Sequence, residues 1–213
     1  MSIQQEEIVS QLAKHKLVPV IALEDAAHAE PLAQALVEGG LPVAEVTFRT
    51  AAAAESIRTM ASRGDLLVGA GTVLTPAQAD EARAAGAKFA VAPGLNPKVV
   101  RHCLDVEMPI IPGVSTPTDI EMALDYGLSV VKFFPAEAFG GLKTLQAMSA
   151  PYGDVRFMPT GGISLANVND YLAFPKVVAC GGSWMVKPSL YADGNFDPVV
   201  NAVREAVKVV GAD

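Results

Sequence analysis

Eight short apolar runs recur along this chain, and alanine-rich stretches of helical character separate them. The runs are "LVPVIAL" (17–23), "PVAEVTF" (42–48), "LLVGAG" (66–71), "FAVAPG" (89–94), "MPIIPG" (108–113), "SVVKFFP" (129–135), "VRFMPTG" (155–161) and "VVACGGS" (177–183). Runs of this length bounded by glycine and proline read as buried strands, and strands alternating with helices read as a parallel sheet. Helical candidates such as "DAAHAEPLAQALVEGG", "TPAQADEARAAGA" and "TPTDIEMALDYG" each end near a glycine, as a helix C-terminus favours. A count of eight selects a closed (β/α)8 TIM barrel over an open doubly wound sheet of five or six strands.

No linker, low-complexity segment or change in composition divides the 213 residues, so the expectation is a single barrel domain over 1–213. An extra N-terminal helix near 3–14 and a C-terminal helix near 197–210 complete it. With 51% hydrophobic residues the chain is long enough for one sizeable core, and its tight length demands short loops.

In such barrels the chemistry sits where the strands end, so polar residues within or just after the runs carry the functional reading. Lys132 lies in mid-strand between Val131 and Phe133. Side chains alternate along a strand, which puts Val130, Lys132 and Phe134 on one face and Val131, Phe133 and Pro135 on the other. The outer face packs on helices, so the lysine belongs inside. A surface lysine that snorkels to water is the alternative, and the apolar neighbours argue against it. An ammonium taken out of water gives up its proton more readily, and a neutral amine attacks a ketone to form a Schiff base.

Strand two, "VAEVTFRT", places Glu45, Thr47 and Arg49 on one face with Val43. Glu45 beside the lysine fits a general acid/base, and Arg49 fits a fork for a substrate carboxylate. A Glu45–Arg49 ion pair plugging the barrel is the structural alternative. Thr72 ends strand three in "GAGT", and Pro93 and Gly94 end strand four. Thr72 is either a substrate donor or the N-cap of the helix that begins near Pro76. The glycine pairs Gly161–Gly162 and Gly181–Gly182, with Ser183, follow strands seven and eight. That is the recurrent phosphate position of this barrel class, where exposed backbone amides bind anions. Glycines that merely turn the chain are the competing explanation.

The formal net charge of −7 disfavours nucleic acid and anionic membranes as partners, so an anionic substrate has to be caught by local donors. No window approaches a membrane span. The start "MSIQQEEIVSQLAKHK" lacks a basic region and an apolar signal core, and two cysteines, Cys103 and Cys180, make no disulfide framework. A cytoplasmic setting follows. His15, His28 and His102 fall in predicted helices away from strand ends, so no metal site is expected.

Taken together, "EVTFRT", "VGAGTVL", "PIIPGVSTPTDI", "DYGLSVVKFFPAE", "PTGGIS" and "GGSW" resemble the 2-keto-3-deoxy-6-phosphogluconate (KDPG) aldolase / 4-hydroxy-2-oxoglutarate aldolase family. The likeness runs from about residue 17 to beyond 185, with the motifs in order. It implies a metal-independent class I aldolase splitting KDPG into pyruvate and D-glyceraldehyde 3-phosphate in the Entner–Doudoroff pathway, often with activity on 4-hydroxy-2-oxoglutarate. It further implies Lys132 as the Schiff-base residue, with no cofactor beyond that covalent link, and Glu45 as acid/base. Arg49 and Thr72 would hold the pyruvyl carboxylate and Phe134 would pack on the pyruvyl unit. Thr160 would face the hydroxyls, and Gly161, Gly162, Gly182 and Ser183 would take the phosphate. The partner is a small 2-oxo acid sugar phosphate, and the family's usual assembly is a homotrimer. Phe48 stands where the pattern has leucine, on the helix-facing side. Thr160 tilts the substrate toward KDPG rather than its galactonate epimer. The rival readings are a phosphosugar isomerase or epimerase, which turns over without a trappable imine, and a non-catalytic sugar-phosphate sensor, which shows no rate.

Overall fold

The computed structural model describes residues 3–212. Nine α-helices and nine strands alternate in it, except where two strands follow one another directly at 110–114. The strands are β1 (Leu17–Ile21), β2 (Val43–Thr47), β3 (Leu67–Gly71), β4 (Phe89–Val91), β5 (Ile110–Ile111), β6 (Gly113–Val114), β7 (Val130–Phe133), β8 (Arg156–Pro159) and β9 (Cys180–Gly182). The helices are α1 (Ile3–His15), α2 (Ala29–Glu38), α3 (Ala53–Ser62), α4 (Pro76–Ala84), α5 (Pro97–Asp105), α6 (Pro117–Asp125), α7 (Gly141–Ser149), α8 (Val168–Leu172) and α9 (Asp197–Val210). Both terminal helices stand where the sequence places them.

All strand pairings are parallel. They form a six-stranded sheet in the order β5-β4-β3-β2-β1-β9 and a three-stranded sheet in the order β6-β7-β8. All eight expected runs hold strands of a curled parallel sheet, but they number nine in two ladders because one run divides. The run "MPIIPG" is not one strand: Pro112 has no N–H to give a ladder, and the chain breaks there into β5 and β6. Gly113 passes hard against the end of β4, where a Cβ would fall 2.1 Å from the Pro93 carbonyl oxygen. On the other side, parallel bridges Phe157↔Val177 and Thr160↔Gly181 tie β8 to the segment that enters β9.

Period-two burial sorts the side chains into two clusters. Val18, Val43, Phe89, Val91, Ile111, Val130 and Met158 pack together inside the curl of the sheet. Their alternates, among them Ala44, Val46, Val131 and Phe133, face the helices in the larger cluster. Phe48 packs against that outer cluster, as parity predicts. Ile8, Val9 and Leu12 of α1 join the inner cluster, so this helix fills the N-terminal end of the strand bundle. Gln5 on the same helix bonds the β5 backbone twice, its Nε2 donating to Ile110 O and its Oε1 accepting from Ile110 N, both at 3.1 Å.

Three helices show how the local sequence fixes their starts. Thr75, Asn96 and Thr116 cap α4, α5 and α6 through side-chain oxygens, and each is followed by proline at the first helical position. No helix among the described residues is long and apolar enough to cross a membrane.

Candidate active site

Lys132 is the third residue of β7, and parity turns it inward with Val130. It is 5% exposed, and Glu45, the third residue of β2, is fully buried. Lys132 Nζ donates to Glu45 Oε1 at 3.4 Å across the interior. The surface-lysine alternative therefore fails. The Glu45–Arg49 pairing fails too: among the described residues the ion pair of Glu45 is with Lys132. Glu45 Oε2 is buried without a hydrogen-bond partner, which leaves one carboxylate oxygen to serve a ligand. The Lys132 Nζ also sits 5.1 Å from the centre of the Phe134 ring.

Room for the carboxylate is made one strand away. A Cβ on Gly71 of β3 would stand 2.4 Å from Glu45 Oε1 and 2.7 Å from its Cγ. Glycine there is a steric condition of the site, and Gly71 pairs with Thr47 in the β2–β3 register. The next residue, Thr72, has φ of 56°, left-handed backbone that a β-branched residue adopts only under constraint. It does not cap the following helix, because Thr75 does. The N-cap alternative for Thr72 is thereby removed.

A cavity of about 300 Å³ opens over the C-terminal ends of the strands. Glu45, Lys132 and Phe134 line it, with Arg49, Thr72 and Pro93 along one side. Thr160, Gly161, Gly162, Gly181, Gly182 and Ser183 line the other. The candidates named from the sequence are thus brought to one chamber, except Gly94, which is not part of its lining. Glycine is again needed at its wall: a Cβ on Gly181 would lie 2.3 Å from Thr160 Oγ1, and one on Gly182 would enter the Trp184 ring. Thr160 Oγ1 is itself buried and unpartnered.

Three lining residues carry no role in the sequence reading: Val20, Thr47 and Ile163. Thr47 matters most. Its Oγ1 donates to Ile21 O at 2.8 Å and accepts from Arg49 Nε at 3.0 Å, so it aims the guanidinium. The signal was present, since Thr47 shares the parity of Glu45 and Arg49. What the sequence withheld was the β1 carbonyl that holds the hydroxyl. No cluster of three or more metal-ligating side chains occurs among the described residues.

The arrangement offers a buried amine beside a buried carboxylate, a guanidinium on one rim and glycine amides on the other. Comparison of the whole chain with known proteins finds extensive similarity to aldolases. The family model described as KDPG and KHG aldolase matches residues 8–202. The 2-dehydro-3-deoxy-phosphogluconate aldolase of Haemophilus influenzae is 51% identical over 211 residues, covering 99% of this chain and all of the relative. The 2-keto-3-deoxy-6-phosphogluconate aldolase of Zymomonas mobilis, solved with 3-phosphoglycerate, superposes with a TM-score of 0.88 at 40% identity, covering 95% of each chain. The KDPG aldolase of Legionella pneumophila, solved with pyruvate captured as a covalent carbinolamine, gives 0.89 at 37% identity over 92% of this chain and 96% of that one.

Proposed function

This chain belongs to the KDPG and KHG aldolase family, and from that premise we propose that it cleaves 2-dehydro-3-deoxy-6-phosphogluconate by a Schiff-base mechanism centred on Lys132. The observation that carries the proposal is the buried Lys132 Nζ placed 3.4 Å from Glu45 Oε1 at the floor of the cavity.

Glu45 takes a proton from Lys132, the freed Nζ adds to the C2 carbonyl, and the carbinolamine, its hydroxyl protonated by Glu45, loses water to give an iminium. The carbinolamine held in the Legionella pneumophila relative supports this first step. Glu45 removes the C4 hydroxyl proton, the C3–C4 bond breaks, and its electron pair passes into the iminium to form an enamine. Glyceraldehyde 3-phosphate departs. The enamine is protonated at C3 with Glu45 as the proton source, and water then releases pyruvate and frees the lysine. The free Glu45 Oε2 is the acceptor available for the hydroxyl proton. No external cofactor enters this scheme, because the covalent link to Lys132 is the electron sink.

Arg49, aimed by Thr47, and Thr72 hold the pyruvyl carboxylate. Phe134 and Pro93 pack against the three-carbon unit, and Thr160 meets the sugar hydroxyls. Gly161, Gly162, Gly181, Gly182 and Ser183 receive the phosphate through backbone amides and one hydroxyl. The two ladders, bridged at Thr160↔Gly181 and joined through Pro112, support one closed barrel domain spanning the chain. We extend the proposal to activity on 4-hydroxy-2-oxoglutarate, to a homotrimer and to a cytoplasmic setting. Apolar side chains left exposed, Phe139 and Leu124 among them, are of the kind a subunit contact covers.

Borohydride reduction in the presence of pyruvate tests the mechanism. A pyruvyl-derived mass increment on the peptide bearing Lys132 is expected, together with loss of turnover in Lys132→Ala. Reduction that leaves Lys132 unmodified while pyruvate is still produced overturns it.

A further inference from the structure

The loop after β8 is held from behind at three successive carbonyls. Thr160 O accepts from Ala136 N at 2.8 Å, and Gly161 O accepts from Glu137 N at 3.0 Å. Gly162 O accepts from Asn167 Nδ2 at 3.1 Å, while Asn167 Oδ1 accepts from Ser164 N at 2.9 Å. In a trans peptide the C=O of one residue and the N–H of the next point opposite ways. Turning these three carbonyls outward therefore turns the N–H groups of Gly161, Gly162 and Ile163 the other way. All three residues line the cavity. The Gly161 N–H faces the Gly181 carbonyl in the Thr160↔Gly181 bridge, and among the hydrogen bonds of the described residues none uses the N–H groups of Gly162 and Ile163. Two successive free amides following left-handed glycines, with φ of +100° at Gly161 and +82° at Gly162, make an anion-binding concavity.

The holding residues are themselves held. The Glu137 side chain lies under Gly162, where a Cβ would come within 2.5 Å of Glu137 Cγ. Its Oε1 accepts from the hydroxyl of Tyr171, a residue of α8 that is 1% exposed. Burial and the neighbouring Glu137 push the Tyr171 phenol above its usual range, so it keeps the proton it donates. Glu137, Tyr171 and Asn167 lie outside the set of residues that line the cavity.

We propose that Glu137, Tyr171 and Asn167 are positioning residues that set the affinity for the substrate phosphate by fixing the Thr160–Ser164 backbone, without touching substrate. The proposal rests on the aldolase reading. It makes a separable prediction, because pyruvate engages Lys132, Glu45 and Arg49 but does not reach this loop.

The test compares Tyr171→Phe and Asn167→Ala with the unaltered protein in three measurements. These are KM for the phosphorylated substrate, inhibition by inorganic phosphate, and the rate at which the pyruvate methyl group takes up deuterium from D2O. The expected result is a fivefold or greater rise in KM and in the phosphate inhibition constant, with deuterium uptake within twofold of the unaltered enzyme. Unchanged KM and phosphate inhibition overturn the proposal, as does a parallel fall in deuterium uptake. Should Asn167→Ala fold poorly, Tyr171→Phe, which removes a single oxygen, decides alone. Absence of deuterium uptake in the unaltered protein removes the aldolase reading itself.

Discussion

Gly71 sets the tolerance of the site at the level of a single atom. An added methyl would stand inside the contact distance of Glu45 Oε1, in a sheet whose backbone is paired on both sides. The carboxylate is the mobile partner and must swing away from Lys132. Gly71→Ala is expected to fold and to lose kcat by on the order of 100-fold, the cost of moving a reacting group by about 1 Å. Steady-state kinetics beside circular dichroism check this, and kcat within threefold of the unaltered enzyme would refute it. The parity of "VAEVTFRT" and of "SVVKFFP" made the inward placement of Glu45, Arg49 and Lys132 legible. The need for Gly71 was not, because it arises between β2 and β3 and depends on register. The role of Thr47 was hidden for the same reason: its partner, Ile21 O, is 26 residues away.

At the level of elements, the break at Pro112 leaves β5 with a short ladder to β4 and a backbone that α1 completes. Gln5 does so with the hydrogen-bonding pattern of a peptide group, one donor and one acceptor offered to Ile110. Removing that side chain leaves a buried N–H and C=O of β5 unpaired. Gln5→Ala is expected to cost about 1–3 kcal/mol. In a chain of this size that lowers Tm by roughly 2–4 °C per kcal/mol. A denaturant midpoint equal to that of the unaltered protein would show that Gln5 does not support β5. Sequence periodicity found both terminal helices and all the strand positions, since each apolar run is bounded by turn residues. It joined β5 and β6, because an apolar run containing proline still reads as a single strand when the partner strands are not in view. A polar residue on α1 clipping a strand more than 100 positions away carries no local signature.

For the whole molecule, the two clusters divide the work: the inner one supports the site from below, and the outer one joins helices to sheet. Cys103 and Cys180 both belong to the outer cluster and are fully buried. Burial, helped at Cys103 by the Asp80 charge, pushes their thiols up to about 11 and about 12. The reactive thiolate is therefore scarce at pH 8 as well as inaccessible. Native protein is expected to resist iodoacetamide at that pH, and denatured protein to take two labels per chain. Labelling followed through a urea titration should track global unfolding, and a thiol that reacts fully before the main transition would contradict one cooperative outer layer.

The helix that stoppers the lower end of the strands imposes a sequence of events on turnover. With Ile8, Val9 and Leu12 wedged beneath the strands, the chamber opens at their C-terminal ends, and in the proposed mechanism the bond to Lys132 lies at its far end. The aldehyde fragment stands between the tethered three-carbon piece and the exit. It has to leave first, and pyruvate follows only after water has taken its place.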